Sequence, residues 1–485
     1  MKKRKIDVSK YFEKPSLLDA RNRAKTKIEL LESGFSLKDE YKDIGEGKKY
    51  FIKTYGCQMN ENDSEKIAAI IEEMGYTQAQ SDAEADFVLL NTCAVRENAE
   101  NKVFGLVGSY KQRKIEDPDF IIGICGCMPQ EEKVVNMVLE KYPQVDLVFG
   151  THNLHRIPEL LFEAVMSKEM VVEVWSKKAQ VVENLPITRK EKHKAWVTIM
   201  YGCDNFCTYC IVPYTRGKER SRRPEDIIAE VRDLRRQGYK EVTLLGQNVN
   251  SYGLDFEDQS YRMHDLLRDL AMIDIPRIRF TTSNPWFFTD EMIDVIATND
   301  NVMPYIHLPV QSGNTEVLKT MGRRYTREEY LELFHKIKDR VKGATFTTDI
   351  IVGFPNETEE QFQDTLSIVD ECKYDGAFTF VYSPREGTPA AKMEDNVELE
   401  VKKNRLFRLN EMVTKYASES MEKYQGKVLK VLVDGVSKKN DQVLSGYSEE
   451  NKLVNFPGSK ELIGEIVEVK IVETRSWSLN GELLK

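Results

Sequence analysis

Short apolar runs alternate with amphipathic stretches in two separate series along this chain. From residue 49, KYFIKTYGC, DFVLLNTCAV, FIIGICGCMP and VDLVFG read as strands, with SEKIAAIIEEMGY, ENKVFGLVGSYKQRK and EEKVVNMVLEKYP as helices between them. Continuously apolar strands separated by helices predict a parallel, doubly wound sheet. A second series gives the strands WVTIMYGC, EVTLLGQN, RIRFTTSNP, MPYIHLPVQ, TFTTDIIVGFP and AFTFVYSP, with helices such as PEDIIAEVRDLRRQGY and EEQFQDTLSIVDECKY. Six βα units fall short of a closed eight-fold barrel and predict a partial one. In both folds ligands bind at the carboxyl ends of the strands. After the charged helix VKKNRLFRLNEMVTKYASESMEKYQ come short alternating strands with Gly-containing turns. They predict a small all-β barrel, a shape used to bind single-stranded or looped nucleic acid.

The fold class is therefore α/β, and 485 residues exceed what one core accommodates. The expected organisation is a polar extension over 1–48, a sheet domain over 49–167, a charged linker within 165–190, a barrel domain over 189–420 and the β-barrel over 422–485. No apolar run is long enough to span a bilayer. The amino-terminal segment has charged ends but no apolar stretch of signal-peptide type. The expectation is a cytoplasmic protein without a membrane partner, whose thiols stay reduced, so clustered cysteines point to metal or redox work rather than disulfides.

Six of the eight cysteines form two groups. Cys203, Cys207 and Cys210 make a C-x3-C-x2-C run. Three thiolates on one loop hold three irons of a cubane and leave the fourth open to a small molecule. A closed zinc site with His193 as fourth ligand is the alternative. Cys57, Cys93 and Cys127 are far apart in sequence, yet each follows a different strand of the first series, so they should converge on one sheet edge. Cys125 shares a strand with Cys127 and, two residues away, the same face; it stands as a further candidate. Cys372 lies in a helix and reads as a small buried apolar residue.

The net charge of −9 argues against broad nucleic-acid binding, but two local basic patches exist. One comprises Lys2, Lys3, Arg4 and Lys5 with Arg21, Arg23, Lys25 and Lys27. The other, TRGKERSRRP, carries Arg216, Lys218, Arg220, Arg222 and Arg223 directly after the cysteine loop. Either reads as a phosphate-binding surface or as a solvated face. Arg323 and Arg324 read as contacts to a carboxylate or to RNA phosphate, or as solvated side chains.

The cysteine loop, with Tyr209 before its last cysteine, resembles the signature of the radical S-adenosylmethionine (SAM) superfamily. From residue 49 onward the chain resembles the methylthiotransferases of that superfamily, through TYGCQMN, LNTCAVRENAE, GCMPQ, GCDNFCTYCIVPYTRGKERSR, LLGQNVNSYG, HLPVQSGN, MGRRYTREEY, DIIVGFPNET and a terminal barrel similar to a TRAM domain. PYTRGKERSR is similar to the branch that modifies isopentenylated adenosine beside the anticodon of tRNA. Other branches modify threonylcarbamoylated adenosine or an aspartate of a ribosomal protein. A scaffold Fe–S protein and a plain RNA-binding module are the non-enzyme readings.

The resemblance implies that Cys203, Cys207 and Cys210 hold a 4Fe-4S cluster that binds SAM and yields a 5′-deoxyadenosyl radical, which takes the hydrogen from carbon 2 of the adenine. It implies that Cys57, Cys93 and Cys127 hold an auxiliary 4Fe-4S cluster carrying or delivering sulfur, with a second SAM as methyl donor. It also implies an electron donor such as flavodoxin or ferredoxin, and a sulfur donor. Tyr209, by the superfamily pattern, and Gln247, Ser283, Gln311 and Asp349, by strand-end position, are candidate SAM contacts. Arg216, Lys218, Arg220, Arg222 and Arg223 are candidate tRNA contacts, and Tyr447, Phe456 and Trp477 either stack on bases or fill the terminal barrel.

Overall fold

The computed structural model describes residues 8, 11–12, 17–25, 29–31, 35–94, 97–174, 180–182, 185–258, 260–438 and 440–484. Lys2, Lys3, Arg4, Lys5 and Lys27 of the amino-terminal basic patch lie outside them. The chain divides into two compact units. The first holds the described residues up to 190 with 201–205 and 210–219. The second holds 191–200, 206–209 and the described residues from 220 onward.

The first unit is built on a six-stranded parallel sheet. Its strands are β1 (Lys49–Thr54), β2 (Thr77–Gln78), β3 (Phe87–Thr92), β4 (Ile121–Gly126), β5 (Leu147–Phe149) and β6 (Val171–Glu173), in the order β2-β1-β3-β4-β5-β6. Helices α1 (Gln58–Glu73), α2 (Glu97–Glu116), α3 (Glu132–Lys141) and α4 (Ile157–Ser167) connect them. One sheet face packs Ile67, Ile70 and Ile71 of α1 with Leu160 and Leu161 of α4. The other packs Val103 and Val107 of α2 with Val134, Val135 and Val138 of α3. Every residue of β3 and β4 is buried, as an interior parallel strand covered on both faces must be.

The stretch expected to be a linker belongs to this unit. Val171–Glu173 adds β6 to the sheet edge. Further on, the Thr188 amide donates to the Glu65 carbonyl at 3.1 Å, and its hydroxyl to Glu72 at 2.6 Å. A three-residue strand is too short to show a period, so composition alone read the segment as a connection.

In the second unit, β7 (Lys194–Thr198), β8 (Glu241–Leu245) and β9 (Arg277–Phe280) form one parallel sheet, and β10 (Tyr305–His307), β11 (Thr345–Val352) and β12 (Gly376–Val381) another. An isolated parallel bridge from Ile278 to Val302 carries the order across from β9 to the segment entering β10. This is the expected six-stranded partial barrel. Val242, Leu244, Ile278, Phe280, Ile306, Ile350 and Val352 face outward into a core closed by helices α5 (Pro224–Arg236), α6 (Met263–Ala271), α7 (Asp290–Thr298), α8 (Thr315–Thr320), α9 (Arg327–Arg340), α10 (Glu359–Cys372) and α11 (Leu399–Glu422). Thr326 and Thr358 start α9 and α10 with capping boxes, each pairing its side chain with a Glu or Gln three residues on. Cys372 is buried in this core, as its helical setting suggested.

The terminal segment closes a five-stranded barrel from β13 (Val428–Ser437), β14 (Asn440–Ser448), β15 (Leu453–Pro457), β16 (Ile466–Thr474) and β17 (Leu479–Leu483). The segment VLSGYSEENKLVNF makes two strands, because Asn451 at φ 62° turns the chain back between them. Phe456 fills the barrel core, whereas Tyr447 and Trp477 are exposed. The barrel docks where the strands of the partial barrel begin. Arg277, 1% exposed, donates to the Tyr447 and Lys430 carbonyls at 2.8 Å each, and Arg279 to those of Ser448 and Glu449.

On the same docking surface, Asp434 meets Lys194 at 2.7 Å and His193 at 3.3 Å. Burial alone would raise the Asp434 carboxyl, but these partners hold it below its usual 3.8. A depressed folded value means stability that is present above the unfolded value and lost as pH falls through the folded one. Asp434→Asn should therefore cost about 1–2 kcal/mol at neutral pH, with the difference shrinking below pH 4. Thermal melts of both proteins across that range check it.

Candidate active site

In the first unit the three scattered cysteines come together at the carboxyl ends of β1, β3 and β4, which are neighbours in the sheet. Cys57 is the N-cap of α1, Cys93 directly follows β3, and Cys127 directly follows β4. Asn60, fully buried one turn into α1, sits among them. Its Oδ1 is 3.8 Å from the Cys57 thiol and 3.9 Å from the Cys127 thiol. Its Nδ2 donates to the carbonyls of Tyr55 and Thr92 at 2.8 and 3.0 Å, tying the ends of β1 and β3 together. Gly56, at φ 124°, leaves room for Cys93: a Cβ there would lie 2.6 Å from the Cys93 Cβ. Cys57 is exposed while Cys93 and Cys127 are buried, so the group is open on one side.

Cys125 goes elsewhere. It packs into the apolar layer with Ile67, Ile70 and Phe149. Gly126, at φ 94°, ends the strand and with it the two-residue alternation that put Cys125 and Cys127 on one face.

The first turns of α1 are polar yet buried, with Asn60, Asn62, Asp63 and Ser64 at 5% exposure or less. Arg216 is the partner of two of them, Asn60 and Asp63, while Ser64 bonds Thr54 and Asn91. Its Nε donates to the Cys127 sulfur at 3.2 Å, one terminal nitrogen to Asn60 Oδ1 at 2.6 Å, and the other meets Asp63 at 2.8 Å. Burial pushes the Cys127 thiol up to about 12, and Arg216 works against that rise. Three converging thiols with a buried guanidinium beside one of them suit an anionic iron–sulfur cluster, whose thiolates need countercharge. Among the described residues no three His, Cys, Asp or Glu side chains converge tightly enough for a single metal ion.

Arg216 corrects the expectation of a phosphate-binding run. A buried ion pair with Asp63 takes it out of solvent. Arg220 is also buried, and Arg222 is spent on Glu230 and the Thr198 carbonyl at 2.8 and 2.6 Å. Arg223 is exposed and Lys218 half-buried, so these two carry what remains of that surface.

On the cysteine loop, Cys203 and Cys207 are buried and Cys210 is half-buried. Within the second unit, Arg323 donates to the Cys207 sulfur at 3.5 Å, the Tyr325 hydroxyl at 3.1 Å and the Pro309 carbonyl at 3.2 Å, and lies 4.8 Å from the Trp286 ring centroid. Its neighbour Arg324 is exposed. Tyr209 packs against Val317, Met321, Phe354, Tyr382 and Ala390. The adjacent Thr208 is pinned on both sides, its amide to the Met321 carbonyl and its carbonyl to the Ala390 amide, each at 2.9 Å. His193, which a zinc reading requires, faces Asp434 instead.

The other strand-end candidates lie on the inner rim of the partial barrel. Both amide atoms of Asn248, Ser283 Oγ, Asn284 Oδ1 and Trp286 Nε1 are buried without a hydrogen-bond partner in the protein. Buried polar atoms are nearly always paired. Orphans grouped after β8 and β9 fit a polar ligand bearing amino, carboxylate and hydroxyl groups, as SAM does. Gln247 is half-buried beside them. Gln311 holds φ 70° and bridges to β11, its amide donating to the Asp349 carbonyl at 2.9 Å and its carbonyl accepting from Ile351 at 2.9 Å. A non-glycine residue in that region is strained, and such strain concentrates at functional sites. Asp349 meets His307 at 3.5 Å on the concave face.

Three segments match known families: residues 49–150 the Uncharacterized protein family UPF0004, 197–369 the radical SAM superfamily, and 422–484 the TRAM domain. The chain is 59% identical over 487 residues to the tRNA-2-methylthio-N(6)-dimethylallyladenosine synthase of Bacillus subtilis, covering 100% of this chain and 96% of that protein. It belongs to the tRNA-2-methylthio-N(6)-dimethylallyladenosine synthase family. A protein of the same name from Staphylococcus epidermidis is 58% identical over 488 residues, covering 100% and 95%. Among solved structures, the radical S-adenosylmethionine methyltransferase TsrM of Kitasatospora setae superposes with a TM-score of 0.51 at 14% identity, covering 71% of this chain and 77% of that one. That likeness shows the fold.

In this synthase-family chain, four side chains near the thiols escaped sequence reasoning in their positions: Asn60, Asp63, Arg216 and Arg323. For the first two a signal was present. The run NENDSEK opens a helix that otherwise buries apolar residues, and polar side chains there mark a partner approaching the helix. Arg323 gave no signal beyond its charge.

Proposed function

We propose that this chain is a radical SAM enzyme that methylthiolates carbon 2 of isopentenylated adenosine next to the anticodon of tRNA. It uses two 4Fe-4S clusters and two SAM per turnover. The observation that carries the assignment of roles is the convergence of Cys57, Cys93 and Cys127 on one sheet edge, a thiol set separate from the Cys203–Cys207–Cys210 loop. When bound, the loop cluster with SAM supplies the radical chemistry that an inert aromatic C–H demands, and the auxiliary cluster supplies sulfur.

The chain's own residues position these groups. Cys203, Cys207 and Cys210 hold the first cluster, and Cys57, Cys93 and Cys127 the second. Arg323 fixes Cys207, while Arg216 and Asn60 fix the auxiliary thiols. Asn248, Ser283 and Asn284 offer hydrogen bonds to SAM, with Tyr209, Gln247, Gln311 and Asp349 at the same rim. The target base of a looped RNA must leave its stack to reach this rim. Lys218, Arg223 and the terminal barrel hold the RNA backbone, with salt-dependent affinity. An electron donor such as flavodoxin or ferredoxin, a sulfur donor and a cytoplasmic setting complete the reading. Among the described residues no helix is long and apolar enough to cross a membrane.

Mass spectrometry of nucleosides tests it. After anaerobic reconstitution and incubation with SAM, dithionite and a mixture of isopentenylated and threonylcarbamoylated tRNAs, the isopentenyladenosine is expected to convert to its methylthio derivative. Unchanged isopentenyladenosine alongside methylthiolated threonylcarbamoyladenosine would assign the chain to the other tRNA branch.

A further inference from the structure

The concave face of the partial barrel divides by chemistry. On β7 to β9 its lower part carries Lys194, Glu241, Arg277 and Arg279, covered by the terminal barrel. On β12 it is apolar: Trp477 of the terminal barrel lies over the strand's first residue, Gly376, and the face beyond that is bare. Strand alternation sends Ala377 and Val381 to the helix side, where they pack on the barrel core, and Thr379 bonds Asn410 of α11. Phe378 and Phe380 therefore face inward, and they are 53% and 40% exposed. Their cross-strand neighbours on β11 are Asp349 and Ile351. Phe378 also meets the His307 ring nearly edge-on at 6.0 Å, 70° between planes. Large aromatics left this bare inside a catalytic barrel contrast with the burial of its outward face. Phe380 is one residue from the carboxyl end of its strand, the end at which Gln311 and the orphaned polar atoms lie.

We propose that Phe378 and Phe380, with Ile351, form the subsite that takes an N6-prenylated purine, Phe380 against the ring and Phe378 against the five-carbon chain. The chemistry selects this occupant. Aromatic faces stack on a splayed base, and branched hydrocarbon gains by burial against phenylalanine. Asp349 presents a carboxylate to the same surface, which repels an anionic threonylcarbamoyl substituent of similar reach. The subsite rests on the substrate reading above and deepens it: it names the side chains that distinguish the prenylated base from the unmodified one.

The test uses the reconstituted full-length enzyme and three anticodon stem-loops of one sequence, carrying adenosine, isopentenyladenosine or threonylcarbamoyladenosine at the target position. Fluorescence anisotropy gives the affinity for each. Wild type should bind the isopentenylated loop at least about tenfold tighter than the unmodified one. The Phe378→Ala/Phe380→Ala double variant should bring that ratio near one, while Phe378→Leu/Phe380→Leu, which keeps hydrocarbon at both positions, should retain most of it. Both residues are exposed, so truncation removes little packing, and melting curves confirm the fold of each variant. A folded double-alanine variant that keeps the wild-type ratio overturns the subsite and leaves the substrate reading standing. A wild type that prefers the threonylcarbamoylated loop overturns both.

Discussion

Cys57→Ala should still cleave SAM under dithionite but insert no sulfur, with methylthiolation falling to background. Cys57 is exposed and follows the end of β1, so the change leaves no cavity and disturbs little packing. What it removes is one of three thiols that meet around Asn60. The Cys203–Cys207–Cys210 loop keeps its own ligands and its own support from Arg323. Measuring 5′-deoxyadenosine and methylthiolated nucleoside in one reaction separates the two roles. Loss of SAM cleavage with the loop cluster intact by spectroscopy would mean that the two thiol sets do not act independently.

Arg216→Ala should be among the most destabilising single changes in the first unit. It strands the buried Asp63 carboxylate and removes the donor to both Asn60 and the Cys127 sulfur. Breaking a buried pair from one side costs about 3–5 kcal/mol, because the remaining charge has neither water nor partner. Removing both charges should recover much of that loss, so Asp63→Asn/Arg216→Gln should melt well above Arg216→Ala. The pair should still fall short of wild type in auxiliary iron content, since Gln brings no positive charge to Cys127. If Arg216→Ala melts like wild type, Arg216 does not hold this pocket together. A phosphate-binding role for Arg216 predicts a different pattern: weaker tRNA binding with unchanged stability and iron.

How much of this was legible follows residue by residue. All six strands of the partial barrel could be read because their helix-facing residues are mostly apolar, with Thr348 and Thr379 the polar exceptions on β11 and β12. The convergence of Cys57, Cys93 and Cys127 was readable too, because a parallel sheet sends every strand's carboxyl end to one edge. Thr77–Gln78 and Val171–Glu173 were not, since two or three residues carry no periodicity. Arg216 was misread for a different reason. A basic run looks like a solvated face, and only the fold shows which of its members an acid opposes from another element. The ambiguity over Cys125 has the same origin: alternation holds within a strand, and the backbone of Gly126 decides where the strand stops.

Two clusters on two separate thiol sets set the iron content of this chain. Iron and sulfide analysis of the anaerobically reconstituted protein tests it most directly. Wild type should hold about eight irons per chain, and Cys57→Ala/Cys93→Ala/Cys127→Ala about four, with the triple variant still cleaving SAM. A wild type that saturates near four irons, or a triple variant that keeps all eight, would contradict the account.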